Sequence, residues 1–353
     1  MIRFAFKHVC IDSYAVNLPP NEMTSAEIED RLAPLYKRLQ IPMGTLEKLS
    51  GIRSRHLWDV KVLPSEVATV AATKALEKSG IERSQIGALF SCSVTRDNFE
   101  PATACIIHHN LELGEQSLAF DISNACIGFS DGLMMLGNLI ESGIVKAGIV
   151  VSGENVARIV DNNLKTLLRE EALTRDDLIE LLPTLTLGSG AVAYVLCHDS
   201  ISTHKHRLLG GALRTATQHS ELCSGNADSC ATDKNVESIL MRTESSKIIA
   251  AASKLGSRLW PETSEVLGWK REDVQHIFCH QVGRQVNEAF YREMGLDYQK
   301  EYTIYREYGN MVSAALPTAL ALGVDDKPVR KGEKVLCTAF GSGLNGVFYG
   351  IEW

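Results

Sequence analysis

The chain has 353 residues, with 36 Lys and Arg against 43 Asp and Glu for a formal charge of −7. Its 45% hydrophobic and 22% charged content is that of a folded globular protein and excludes disorder and collagen-like repeats. The acidic balance argues against a nucleic-acid binder, and no run nears the ~18 apolar residues of a transmembrane helix.

The opening MIRFAFKHVC leads into polar sequence and does not read as a signal peptide. Residues 66–79, EVATVAATKALEKS, have helical apolar spacing closed by Gly80. Strands are expected at 87–94, 117–123, 147–154 and 190–197. Between the second and third lies IGFSDGLMMLGNLI (127–140), a helix apolar on nearly all sides, which belongs in a core. Residues 155–187 read as a charged, mostly helical insertion, either a lid or binding wall or a solvated surface hairpin.

The second half repeats this order. A helix at 245–260 precedes a strand at 276–282. A helix at 284–294 capped by Gly295 follows, then a buried helix at 310–323 with Pro317 as a kink or late start. Strands at 334–343 and 345–353 end the chain. FSCSVTR (90–96) aligns with FCHQVGR (278–284), sharing Phe, Val and Arg. The repetition predicts an α/β protein of two duplicated halves, residues 1–205 and 206–353, meeting at one centre.

Nine cysteines are scattered without a C-x-x-C pair, and no H-E-x-x-H occurs. They read as reduced thiols in a cytoplasmic protein without a zinc site. Cys126 stands out because a strand ends before it and the apolar helix begins after it. A helix N-terminus favours thiolate, so a lowered pKa is expected there. Gly128 and Gly132 would leave room for a ligand arm, and helix 127–140 could line an apolar tunnel. His280 ends a strand, and Asn310 opens a buried helix in the second copy where Cys126 does in the first.

Cys126 in DISNACIGF, His280-Gln281, Gly309-Asn310 and FGSG (340–343), with GIRSRHLW (51–58) and LTLGSGAVAYVL (185–196), resemble 3-oxoacyl-ACP synthase III (FabH) of the thiolase superfamily. The resemblance runs from about residue 8 to the C-terminus. It implies a thiolase-like fold with a layered αβαβα core and an acyltransferase that needs no cofactor beyond acyl-CoA or acyl-ACP thioesters. It further implies a homodimer, with Cys126 as acyl-bearing nucleophile and His280 and Asn310 as donors to the second substrate. The backbone N–H groups of Cys126 and Ser342 would form the oxyanion hole.

Glu100, 26 residues before Cys126, resembles the glutamate base of the OleA branch, which joins two fatty acyl-CoAs head to head. FabH-type enzymes are apolar at that position. In the resemblance Glu100 and the following PATACIIHHNLEL lie at the dimer interface, and burial beside the partner's tunnel would raise its pKa. Thr45 and Leu49 stand where FabH enzymes carry an adenine-holding Trp and Arg, and Gly283 replaces a pantetheine-contacting Asn. These departures argue against the usual malonyl-ACP contacts.

Three other readings compete. Cys, His and Asn also suit a papain-like hydrolase, but that family's signature around the nucleophile is missing. Gly341-Ser-Gly343-Leu-Asn-Gly346 matches a dinucleotide fingerprint, yet only seven residues follow it. A non-catalytic partner subunit would tend to lose Cys126 or His280, and both are retained.

Overall fold

The computed structural model describes residues 2–225 and 241–353. Ten strands form one mixed sheet: β1 (Ile2–Ala5), β2 (Val9–Asn17), β3 (Ile86–Ser91), β4 (Leu118–Asp121), β5 (Ala147–Glu154), β6 (Gly190–His198), β7 (His206–Thr215), β8 (His276–Cys279), β9 (Lys334–Gly341) and β10 (Asn345–Glu352). Their order is β8-β9-β10-β7-β2-β6-β5-β3-β4, with β1 added beside β7.

The duplication is visible in this order. From β2 outward through β6, β5, β3 and β4 the pairings run antiparallel, antiparallel, parallel, parallel. From β7 through β10, β9 and β8 they run antiparallel, antiparallel, parallel. The counterpart of β4 is reduced to a single parallel bridge between Ile277 and Glu301. Phe90 and Phe278, aligned in the sequence, sit on the equivalent strands β3 and β8.

Eight of the helices position the site and its surroundings: α1 (Pro64–Ser79), α2 (Thr103–Asn110), α3 (Gly128–Glu141), α4 (Ala157–Arg169), α5 (Arg175–Leu181), α6 (Ser245–Leu267), α7 (Arg284–Met294) and α8 (Ala315–Asp326). Strand side chains alternate between faces, so each strand feeds two cores. Phe90, Val150, Val192, Tyr194 and Val347 point to a central core built on α3 and α8. Leu89, Ile149, Val151 and Val195 point outward to α1 and α2. Leu336 and Phe348 point to α6 and α7. The result is the thiolase-like layered α/β fold, with α3 and α8 as its middle layer.

The boundaries follow local chemistry. Gly80 and Gly295 close α1 and α7 in left-handed conformations (φ 67° and 61°), which glycine adopts without a Cβ clash. Pro317 takes the third position of α8 and so marks a late start. Asn310 therefore does not open α8: a short turn, Val312–Ala314, intervenes. The insertion is helical as expected (α4, α5 and the turn Leu182–Thr186) and buries Val160, Leu164, Leu167 and Leu178 in a cluster shared with Ile28, Leu32, Tyr36 and Leu57. It reaches the cavity described below through Pro183, as a wall.

The glycines of α3 serve helix-on-sheet packing. A Cβ on Gly132 would lie 2.5 Å from Cys92 Sγ, and one on Gly137 would lie 2.6 Å from the Phe6 ring. A Cβ on Gly128 would lie 3.0 Å from the Cys92 carbonyl. No α3 side chain is among the described residues lining the cavity, which corrects the expectation that this helix walls a tunnel. Its apolar faces are consumed by the central core.

Candidate active site

Between β4 and α3 the chain makes a tight turn in which Ala125 adopts φ 47°, left-handed for a residue with a side chain. Ile127 N–H donates to Asn124 O (3.2 Å) and Gly128 N–H to Ala125 O (3.3 Å). Cys126 sits at the apex, just ahead of α3. The turn is pinned from both halves: Asn124 Nδ2 donates to Asp131 (2.6 Å), and Asn345 Nδ2 donates to Asn124 Oδ1 (3.2 Å). Gly341 passes close by, where an added Cβ would stand 3.4 Å from Cys126 N. This contact carries the terminal FGSG segment, with Ser342, onto the wall that holds Cys126.

The thiol behaves contrary to the helix-terminus expectation. Burial, helped by neighbouring Cys223 and Glu154, pushes Cys126 up to about 12. The helix-end field fades within a turn, whereas loss of water acts on the full charge of a thiolate. At neutral pH Cys126 is a thiol.

His280 follows β8 and extends its ladder, donating its backbone N–H to Thr338 O (2.9 Å). Both imidazole nitrogens are buried without a hydrogen-bond partner among the described residues. Desolvation lowers its pKa to about 4, so the ring is neutral at physiological pH. A neutral imidazole offers one N–H donor and one acceptor, both unused here.

Asn310 is held by a web of backbone bonds. Its N–H donates to Thr186 O (2.9 Å), and its carbonyl accepts from Gly188 N–H (2.9 Å). Its Oδ1 accepts from Val312 N–H at 2.9 Å, which leaves Nδ2 without a hydrogen-bond partner among the described residues. The approach of the two segments requires glycine at 188, where a Cβ would lie 1.9 Å from the Tyr308 carbonyl. Gln281, fully buried, staples the strand bearing His280 to the segment leading to Asn310. Its Nε2 donates to Tyr302 O (2.7 Å), and its Oε1 accepts from Ile304 and Tyr305 N–H (2.7 and 3.0 Å).

Cys126, His280, Asn310 and Ser342 share one cavity of about 150 Å³, and none of the described lining residues is charged. Glu100 lies elsewhere: it is exposed beside Phe99, on the segment leading to α2, and does not line the cavity of its own chain.

Three groups were not legible in the sequence. Cys223 lines the cavity and accepts hydrogen bonds at sulfur from Ser342 Oγ (3.3 Å) and Thr243 Oγ1 (3.4 Å). Glu154 ends a strand that is otherwise apolar and small. Its buried carboxylate accepts from Val94 N–H (2.8 Å), Thr95 N–H (2.9 Å) and Ser313 Oγ, locking β5 to the turn after Asn310. Behind His280, Glu301 is buried with Oε1 accepting from Asn287 Nδ2 (2.8 Å) and from the Cys279 thiol, while Oε2 has no partner. Burial raises its pKa to about 7.

The eight described cysteines are free thiols. The one described cluster with metal-ligand spacing, His8, His198 and Asp199, lies at the end of β6 remote from the cavity. No described helix is long and apolar enough to cross a membrane.

Sequence and structural comparisons agree with this fold. The family profile of 3-oxoacyl-[acyl-carrier-protein] synthase III matches residues 120–216, and that of its C-terminal region matches residues 265–353. The chain is 36% identical to an acyl-CoA:acyl-CoA alkyltransferase of Shewanella oneidensis over 99% of both chains. It is 33% identical to one of Xanthomonas campestris, again over 99% of both. A crystal structure of Xanthomonas campestris OleA carrying a cysteine-to-serine substitution, with bound lauric acid and lauroyl-CoA, superposes with a TM-score of 0.91. It is 33% identical and covers 99% of this chain and 100% of that one. Other solved forms of that enzyme are substituted at a glutamate 26 positions before the same cysteine.

Proposed function

The chain belongs to the thiolase-superfamily condensing enzymes of the 3-oxoacyl-ACP synthase III type, and on that premise we propose that it joins two fatty acyl-CoAs by a non-decarboxylative Claisen condensation. The observation that carries this reading is a neutral His280 with both nitrogens unpartnered, sharing an uncharged cavity with Cys126 and Asn310.

In the first half-reaction the Cys126 sulfur attacks the thioester carbonyl carbon of one acyl-CoA. The carbon–sulfur bond to CoA breaks, the thiol proton leaves with the CoA thiolate, and an acyl-Cys126 thioester remains. Backbone N–H groups of Cys126 and Ser342 receive the transient oxyanion. The second acyl-CoA places its carbonyl oxygen against His280 and the Asn310 amide, which stabilise the enolate formed when its α-carbon loses a proton. That carbon attacks acyl-Cys126, a carbon–carbon bond forms, and Cys126 leaves and is reprotonated. The product is a 2-alkyl-3-ketoacyl-CoA. The sequence of steps balances without a cofactor.

A weak carbon acid needs a positioned base. Glu100 is that base in this reading, supplied by a second copy of the chain. Two observations support it. It lies 26 residues before Cys126, the interval between the substituted glutamate and cysteine of Xanthomonas campestris OleA. It is also exposed beside Phe99 (79% exposed), with β4 as an open sheet edge showing Leu118 and Phe120. An unpaired strand edge with exposed apolar side chains invites pairing with another copy.

The test is product mass spectrometry with long-chain acyl-CoA alone and with malonyl-thioester added, for the parent and for Glu100→Ala. The reading expects a 2-alkyl-3-keto product from acyl-CoA alone. It also expects Glu100→Ala to acylate Cys126 yet fail to condense. Dependence on malonyl-thioester with CO2 release overturns it in favour of decarboxylative 3-oxoacyl-ACP synthase III chemistry, and normal condensation of acyl-CoA by Glu100→Ala removes Glu100 from the role of base.

A further inference from the structure

Away from its polar end, the cavity is walled by Ile248 and Ala252 of α6, Val286 and Phe290 of α7, and Phe340 of β9. We propose that this part is a blind channel for an unbranched acyl chain and that Phe290 sets the longest chain it accepts; the inference rests on the acyl-thioester reading above.

The closure is aromatic. The Phe290 ring meets Phe340 edge-on, with centroids 5.4 Å apart at 73°. Both rings pack edge-on against buried Phe348, at 6.0 and 5.7 Å. Such edge-to-face sets resist sliding because each ring's positive edge is held on another's negative face. Helix α6 shuts the remaining side. One turn beyond Ala252, Gly256 faces the same rings, since residues four apart share a helix face. A Cβ there would lie 2.8 Å from Met294 Sδ, 3.1 Å from Phe340 and 3.4 Å from Phe290. The helix thus rests directly on the cluster. No charged side chain lines the channel among the described residues, so its occupant is hydrocarbon, held by displacement of water. The aromatic end limits its length sterically.

The experiment measures Cys126 acylation by intact mass for acyl-CoAs from butyryl to stearoyl. It also measures thermal stabilisation by the corresponding free fatty acids, since a ligand that binds only the folded state raises the melting temperature. Shortening Phe290 in Phe290→Ala should move the optimum of both readouts to longer chains. The relative rate for the longest chains should rise by about 10-fold or more, the scale of discrimination for one methylene in an apolar pocket. Ala252→Phe, which fills the channel one turn earlier, should move the optimum to shorter chains. Should Phe290→Ala not fold, Phe290→Leu and Ala252→Phe carry the test. An unchanged chain-length profile in folded variants overturns the inference. If no acyl-CoA modifies Cys126 in the parent protein, the condensing reading fails and the fatty-acid stabilisation decides the channel alone. A length optimum that moves with Phe290→Leu then supports it, and one that does not move overturns it.

Discussion

Glu301→Gln should abolish a specific loss of stability at neutral pH. The carboxyl sits where the second half would carry its fifth strand, bridged only to Ile277, with Oε1 held by Asn287 and Cys279 and Oε2 unpartnered. Burial moves its pKa from 4.5 to about 7 in the folded chain. The folded state therefore holds a proton that the unfolded state has lost. The contribution to stability is full below pH 4.5 and disappears as pH rises through about 7. At ~1.4 kcal/mol per decade the change is about 3 kcal/mol. Glutamine keeps the shape and the acceptor and cannot ionise, so its stability carries no such term. The assay is thermal or urea unfolding of both proteins at pH 5 and pH 8. The gap between Glu301→Gln and the parent should widen by about 3 kcal/mol in favour of the variant at the higher pH. Neutral burial of His280 and His206, each with its pKa lowered to about 4, destabilises in the opposite direction as pH falls below 6.5. Both proteins share that term, so it cancels in the difference. Parallel pH profiles for the two proteins would refute the reasoning.

Cys126→Ala should leave no acyl adduct after incubation with acyl-CoA, checked by intact mass. In the parent, alkylation of Cys126 by iodoacetamide should keep rising from pH 7 to pH 9 without a plateau, because burial pushes the thiol up to about 12. His280→Ala and Asn310→Ala should slow condensation by ~10²–10³, the range for a lost oxyanion donor, with acylation affected far less. Adduct and product formation measured separately distinguish the two steps. The chain should run as a homodimer in light scattering, and Phe120→Arg at the open edge should shift it to monomer and remove condensation while acylation persists.

Elements with an unbroken apolar run or a regular amphipathic period between clear stop signals were legible at residue precision. Strand β5 spans the expected 147–154, and α7 the expected 284–294. Strand β2, central to the sheet, was missed because Asp12 and Ser13 interrupt its apolar pattern. Both are buried and satisfied by partners remote in sequence: Ser13 Oγ donates to Ala75 O (2.6 Å), and Asp12 accepts from Ser202 Oγ (2.8 Å) and Thr203 N–H (2.7 Å). Strand β7 was missed through Gly210 and Gly211, which are required by close neighbours. A Cβ on Gly211 would lie 1.9 Å from the Phe348 carbonyl. At the site, the motifs that resemble the synthase III family single out Cys126, His280 and Asn310, and these three residues line one cavity. The direction of the thiol shift did not follow from them, because desolvation is set by what packs around the sulfur. The channel wall is not legible in the sequence for a similar reason: α6 and α7 have the pattern of ordinary amphipathic helices, and only their packing turns some of the apolar residues toward a space.

The unpartnered imidazole has a consequence for the life of the protein when empty. A buried polar atom without a partner costs about 1–3 kcal/mol, and His280 holds two such atoms. Folded domains stand only about 5–15 kcal/mol above unfolding, so this readiness for substrate is a sizeable fraction of the margin. The resting fold is frustrated where it reacts, and occupancy relieves that frustration. On the condensing reading proposed above, an acyl thioester bound at His280 supplies those missing partners and so holds more of the chain in its folded form.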